Sequence, residues 1–359
     1  MVRKEIVIVG GGPAGLCAAL QAGRLGAQVT LLEGDDLLGG QLVKQTHMFF
    51  GSEKQHAGTR GIDIAAMLLE ELRQLPNVEI KTNVMVLGRY EDGSVTIDDN
   101  DRFKVLHPQK MVIATGAGEK MLSFPNNDLP GVYGAGAVQT LMNVYGVKPA
   151  KRVLMVGAGN IGLIVSYQLM QAGVEVAAIL DASPRIGGYL VHAAKIRRAG
   201  VPILVRHSVK QALGKESVTG AVIQQLDEKW QPIAGTEQTI ECDAICLAVG
   251  LTPFADLLWQ CGCDMKFIPE LGGHTAVRGK DMQTSVEGIY IAGDVAGIEE
   301  ASSAMVEGYL AGLNAAIALG YGGEEAKKLK NEYEIQLNDL RSGPVGEKIR
   351  SGLSKVSAN

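Results

Sequence analysis

Two short stretches combine residue types and spacing suited to chemistry: GGGPAG at Gly10–Gly15 and GAGNIG at Gly157–Gly162. Each is a G-x-G-x-x-G run followed, roughly twenty residues on, by an acid: Glu33 in the first case and Asp181 in the second. In a dinucleotide-binding turn the first glycine (Gly10, Gly157) permits the turn and the second (Gly12, Gly159) lets pyrophosphate approach backbone. The third (Gly15, Gly162) lets helix pack close to strand. A helix opening at Pro13 and Ala14, or at Asn160 and Ile161, then faces the phosphates with its unpaired N–H groups. Glycines also mark ordinary turns, so one such run is a weak signal. Here it occurs twice, each time between strand and helix and each time with its acid.

The elements that must position these residues read as a repeat. EIVIVGGGPAGLCAALQAGRLGAQVTLLE and RVLMVGAGNIGLIVSYQLMQAGVEVAAILD each run strand, glycine turn, helix, strand. Between them GIDIAAMLLEELRQL has helical periodicity, and VEIKTNVMVLGRYEDGSVTIDD alternates like a small antiparallel sheet turning at Glu91–Ser94. MVIATGA (Met111–Ala117) reads as a buried parallel strand, with AICLAVGLTP (Ala244–Pro253) as its counterpart. EGIYIAGDVAG (Glu287–Gly297) is a late strand ending at Gly293 and Asp294, before a helix from about Ala301 to Leu319.

The pattern predicts an α/β fold of two Rossmann-like dinucleotide-binding domains, the first discontinuous: 1–118 plus 283–323, with 119–282 inserted, then a charged tail, 324–359. In that tail Leu329, Tyr333, Leu337 and Leu340 form an apolar stripe, predicting a helix packed on its own domain or on a partner.

A formal charge of -5 and a pI near 5.8 provide no broad basic face, so nucleic acid is an unexpected partner. The N-terminal apolar run stops at Gly10, short for a signal-peptide core, and no run reaches bilayer length, so a cytoplasmic protein is expected. Five cysteines, an odd number without framework spacing, suit a reducing compartment. Cys242 and Cys246, on one strand, would stand about 13 Å apart, too far to bond. Cys261 and Cys263 are separated by one glycine, unlike CxxC, and buried or loop thiols are the favoured reading. No metal site is predicted.

Taken in order, GGGPAG, ATGA, GAGNIG, AVGLTP and IAGD resemble the two-dinucleotide pyridine nucleotide:flavin oxidoreductases, in a layout similar to thioredoxin reductase. GGYLVHAAKIRRAGVPIL and GDVAGIEEASSAMVEGYLAGLNAA look like the flavoprotein subunits of sarcosine oxidase, opine oxidase, hydrogen cyanide synthase and dye-linked proline dehydrogenase complexes. The resemblance implies FAD in the first domain: Gly10, Gly12, Pro13, Ala14 and Gly15 at its pyrophosphate, Glu33 at its adenosine ribose, and Gly293 and Asp294 at the ribityl or pyrophosphate region. Gly40, Gln41, Thr46, Ala114, Thr115 and Gly116 would line the rest, with Ala301 opening a helix toward the flavin. Asp294 also suits a simple helix cap. His47 is a candidate catalytic group, or a satisfied loop histidine, while Phe49 and Phe50 would pack under the ring. The nicotinamide nucleotide would take Gly157, Gly159, Asn160, Ile161, Gly162, Asp181, Arg185 and Gly250. Asp181 favours a free ribose 2'-hydroxyl, hence NAD over NADP, since a phosphate would meet a like charge; Arg185 is positioned in sequence to meet one.

The departure from thioredoxin reductase is chemical. GGQLVKQTH holds no cysteine and no redox pair occurs elsewhere, so hydride would pass directly between nicotinamide and flavin. The leading expectation is an NADH-linked FAD subunit of an amine or amino-acid dehydrogenase complex, an oligomer with a partner flavoprotein or iron-sulfur protein. The alternatives are a stand-alone NADH oxidase or diaphorase, and a non-catalytic flavin-containing scaffold.

Overall fold

A computed structural model describes residues 2–49, 52–344 and 346–356; Phe50 lies outside them. The chain divides into two compact units, one built from the described residues up to Gly118 and from Leu251 onward, the other from Glu119–Gly250.

The first unit is organised on Val2–Val9, whose Ile6, Val7 and Ile8 are fully buried, as a strand covered on both faces of a parallel sheet requires. A parallel ladder runs Val78–Lys81, Val29–Leu32, Val2–Val9, Phe103–Ile113, Ile289–Ile291, with Ile6 opposite Val29, Val9 opposite Ile113, and Met111 opposite Ile289. The first half of Phe103–Ile113 instead joins Val95–Asp99 and Val84–Arg89 in an antiparallel meander. Helix Ala301–Ile317 lies against helix Pro13–Arg24 so closely that a Cβ on Gly308 would overlap the Ala14 carbonyl. That approach sets the start of helix Pro13–Arg24 against the middle of helix Ala301–Ile317.

The second unit repeats the plan. Its parallel sheet runs Ile203–Val205, Glu175–Asp181, Arg152–Val156, Ala244–Leu247, Val132–Gly134, and an antiparallel sheet of His207–Gly214, Val218–Gln225 and Gln238–Glu241 accompanies it. The fifth parallel strand differs in origin. It comes late in the first unit, at Ile289–Ile291, and early in the second, at Val132–Gly134.

Residues 251–282, which the sequence pattern puts in the second domain, fold with the first unit. Ala255, Leu258, Cys261, Cys263, Ala276 and Met282 are buried in the first unit's core, and apolar residues belong to whichever core they fill. The tail is helical: Gly323–Leu340 lays Leu337, buried, and Tyr333 and Leu340, half-buried as Leu329 also is, on that core. A second tail helix, Glu347–Val356, packs Ile349, Leu353 and Val356 on Ile268 and Leu271. Among the described residues no helix is long and apolar enough to cross a membrane.

Candidate functional site

In the first unit the strand Val2–Val9 delivers Gly10 at φ 102°, where a side chain would overlap the Ala114 carbonyl; a Cβ on Gly15 would in turn overlap the carbonyl of Gly10. Helix Pro13–Arg24 therefore starts tight against the strand end. Gly12 caps it with no side-chain bond to its N–H groups and no acid in its first turn, so those donors are left for an anion. Glu33 accepts the Gly11 amide at 2.6 Å through Oε2 and the Asp35 amide at 2.9 Å through Oε1. Gly39 donates to the Gly11 carbonyl at 2.8 Å, which brings Gly40 back over the turn, 3.9 Å from where a Gly12 Cβ would stand.

The second unit reproduces this knot. Gly157 (φ 111°) and Gly162 make the same close approaches, Gly157 to the Ala248 carbonyl and Gly162 to that of Gly157. Helix Asn160–Gln171 is capped by Gly159, again without a side-chain bond or first-turn acid, and a Cβ on Gly159 would meet nothing within 4 Å. Asp181 accepts the Ala158 amide at 2.7 Å and the Ser183 amide at 2.8 Å. Gly188 donates to the Ala158 carbonyl at 2.9 Å and Tyr189 to the Asn160 side chain at 2.8 Å. A glycine pair, Gly39-Gly40 or Gly187-Gly188, thus returns to each turn. The repetition of GG six residues after each acid is a sequence signal that the motif spacing alone does not bring out.

The remaining first-unit candidates fall into two groups. Ala114 continues the sheet by donating to the Val9 carbonyl at 2.8 Å, Thr115 donates to the Phe254 carbonyl at 2.9 Å, and Gly116 has open space where a Cβ would be. Gly293, at φ 77°, sits so close to Ala14 that a Cβ there would come within 2.8 Å of the Ala14 methyl, and Ala301 begins the neighbouring helix. Ala114, Thr115 and Gly293 touch the knot; Gly116 follows Thr115 in the chain, and Ala301 begins the helix whose middle packs on Ala14. Gln41, by contrast, is exposed at the start of the turn Gly40–Lys44, while Thr46 and His47 are half-buried on the loop beyond, His47 stacked on Phe49 at 6.1 Å between ring centres. In the second unit Ile161 and Arg185 are exposed, and Gly250 accepts the Lys120 amide at 2.9 Å.

Asp294 is only partly exposed. Burial pushes its carboxyl up to about 7, Glu307, Glu299 and Glu300 push the same way, and only a backbone amide at Glu299 opposes them. Beside it lies an ionic cluster that no sequence pattern announced. Glu307 accepts the Gly293 amide at 2.9 Å through one oxygen, and Arg341 at 2.5 Å and Arg278 at 3.4 Å through the other. Arg341 also grips Glu299 with two bonds, at 2.9 and 2.7 Å.

All five cysteines are free and buried. Burial pushes the Cys261 thiol up to about 12 and raises that of Cys263, which donates to Thr284 at 3.4 Å. Among the described residues no His, Cys, Asp and Glu group is arranged to hold a metal ion.

With the geometry in place, comparison with known proteins defines the class. Residues 4–308 match the pyridine nucleotide-disulphide oxidoreductase family, and the chain belongs to that family. It is similar to an opine oxidase subunit from Agrobacterium tumefaciens (28% identical, 87% of this chain and 65% of that protein). It is also similar to the alpha chain of sarcosine oxidase from Rhizobium meliloti (28%, 85% and 29%) and to the HcnB subunit of hydrogen cyanide synthase from Pseudomonas protegens (27%, 93% and 75%). The chain thus spans less than two thirds of the first two relatives' length. Among solved structures, T. acidophilum thioredoxin reductase shares the fold at a TM-score of 0.72 (23% identity, 89% of this chain and 99% of that one). L-proline dehydrogenase from P. horikoshii does so at 0.71 (23%, 94% and 59%).

Proposed function

We propose that this protein is an FAD-dependent NAD(P)H oxidoreductase, with FAD on the first unit and NAD(H), in preference to NADP(H), on the second. The observation that carries the reading is the repeated knot of glycine turn, uncapped helix start and amide-held acid. Both cradles fit a pyrophosphate: open space lies above Gly159, a Cβ on Gly12 would meet only the Gly40 Cα at 3.9 Å, and the helix starts offer N–H donors with no carboxylate competing for them. Each oxygen of Glu33 and Asp181 spends one lone pair on a backbone amide, which fixes the carboxylate and leaves acceptor capacity for ribose hydroxyls. Bound FAD would supply the hydride chemistry with nicotinamide, and the protein's task is alignment rather than acid-base catalysis.

Buried cysteines with raised thiol pKa values support direct transfer without a disulfide relay, since a working dithiol needs access and thiolate character. Relatives named as subunits of opine oxidase, sarcosine oxidase and hydrogen cyanide synthase support a further step in the proposal. The chain would serve as the NADH-linked flavoprotein subunit of an amine or amino-acid dehydrogenase complex, exchanging electrons with a partner flavoprotein or iron-sulfur subunit.

The test is anaerobic stopped-flow of the purified protein, following oxidised-flavin absorbance at about 450 nm after mixing with NADH or NADPH. Fast bleaching by NADH and slower bleaching by NADPH is the expected result. No bleaching by either nucleotide would overturn the assignment and favour a flavin-containing scaffold, while rapid steady turnover with oxygen alone would favour a stand-alone oxidase.

A further inference from the structure

We infer that Arg341, in the C-terminal segment, is a positioning residue for the flavin site of the first unit, acting through Glu307 on the Gly293-Asp294 turn. The inference rests on the assignment of FAD to that unit. Arg341 lies beyond the residues that match the family, 4–308, just past the end of helix Gly323–Leu340. That helix is braced along its length against elements that carry the glycine turn. Tyr333 donates to Gln21 on helix Pro13–Arg24 at 2.6 Å and stacks on Tyr309 at 5.4 Å, and Gln55 donates to Gln336 at 2.7 Å. Its end therefore delivers Arg341 at a fixed place.

The relay is short. One oxygen of Glu307 holds the Gly293 amide, and the other is held by Arg341. Gly293 abuts Ala14 at the mouth of the glycine turn, and Asp294 is the next residue. The Glu307 and Glu299 side chains are 3% and 7% exposed and Arg278 is 4% exposed, so water does little to stabilise any of these charges. Two carboxylates against two guanidiniums balance; Asp294 adds a third acid at the edge of the cluster. Without Arg341 the Glu307 oxygen that faces it keeps only the 3.4 Å bond from Arg278, so the carboxylate is free to turn and its hold on the Gly293 amide slackens. Arg278, at 3.4 Å, grips Glu307 more loosely than Arg341 at 2.5 Å and does not replace it.

The experiment compares FAD dissociation constants, by fluorescence titration of flavin-stripped protein, for wild type, R341K and the double variant R341M/E299Q. The double variant removes one charge of each sign, so it leaves no unpaired carboxylate to unfold the protein. The expected result is a melting temperature like that of stripped wild type, with FAD binding weakened roughly ten- to a hundredfold, the span of one charged hydrogen bond. R341K keeps the charge but not the fork, and should melt normally while binding FAD about tenfold more weakly. Wild-type affinity in R341K, or in a folded R341M/E299Q, would overturn the role of Arg341 and leave the FAD assignment intact. Wild-type protein that neither carries nor takes up FAD would overturn the assignment itself.

Discussion

Glu33 and Asp181 make the same two bonds in their separate units, each accepting the amide of the residue after the first turn glycine and that of the residue two positions beyond the acid. The carboxylate is part of the turn as well as the proposed ribose acceptor. Removing it should act on both. Asp181→Ala is expected to raise the KM for NADH about tenfold, to affect NADPH less, and to lower stability by about 1 kcal/mol for the lost backbone bonds. Steady-state kinetics with both nucleotides and a denaturant titration check this, and an unchanged NADH-to-NADPH preference would count against Asp181 as the selecting group.

Gly159 and Gly162 should separate binding from folding. A methyl at Gly159 meets nothing within 4 Å, whereas one at Gly162 overlaps the Gly157 carbonyl. Gly159→Ala is therefore expected to melt like wild type while raising the KM for NADH by about tenfold or more, its methyl standing where pyrophosphate would lie. Gly162→Ala is expected to cost about 1–3 kcal/mol of stability through overpacking. Thermal melts beside NADH titrations distinguish the two, and equal melting temperatures would contradict the backbone geometry.

The cysteines should be dispensable for turnover. Cys263 donates to Thr284 inside the core and Cys261 is buried nearby, so C261S/C263S should keep NADH-driven flavin reduction while losing about 1–2 kcal/mol by burying hydroxyls in apolar surroundings. Native protein should also resist thiol-directed reagents until unfolded. A loss of flavin reduction without a loss of bound flavin would restore a thiol step to the mechanism.

Asp294 sets a pH dependence whose sign can be worked out. In the flavin-free fold its carboxyl is held up at about 7, mainly by burial. An unfolded aspartate titrates near pH ~4, so between those values the native state binds more protons than the unfolded one and stability falls as pH rises. Asp294→Asn should remove that fall, melting above wild type at about pH 8 and losing the advantage near pH ~4. Thermal melts of stripped protein across this window provide the check; parallel curves would show that the group does not titrate there.

The geometry of the candidate site was readable where a local spacing forces it. Gly10, Gly12, Gly15 and Glu33, and their counterparts Gly157, Gly159, Gly162 and Asp181, are tied by one strand-turn-helix unit, and short sequence separation makes such a unit visible. The return of the first sheet at Ile289–Ile291 was visible for the same reason, as a strand ending in Gly293 and Asp294. The domain edge was not. Residues 251–282 consist of short strands and turns whose apolar side chains suit either core, and only packing decides which. Nor was the Arg341, Glu299, Glu307 and Arg278 cluster: ion pairs formed between distant segments leave no periodic trace.

The late origin of one strand bears on how the chain is made. Residues 119–250 emerge from the ribosome as an uninterrupted segment that contains all five strands of its parallel sheet, so that unit has everything it needs as soon as Gly250 clears the exit tunnel. The first unit, begun earlier, must wait with the Met111–Ile113 edge of its strand unpaired until Ile289–Ile291 arrives. During that interval an open strand edge is available to other chains, which makes the unit that starts first the one that finishes last and the one most in need of a chaperone.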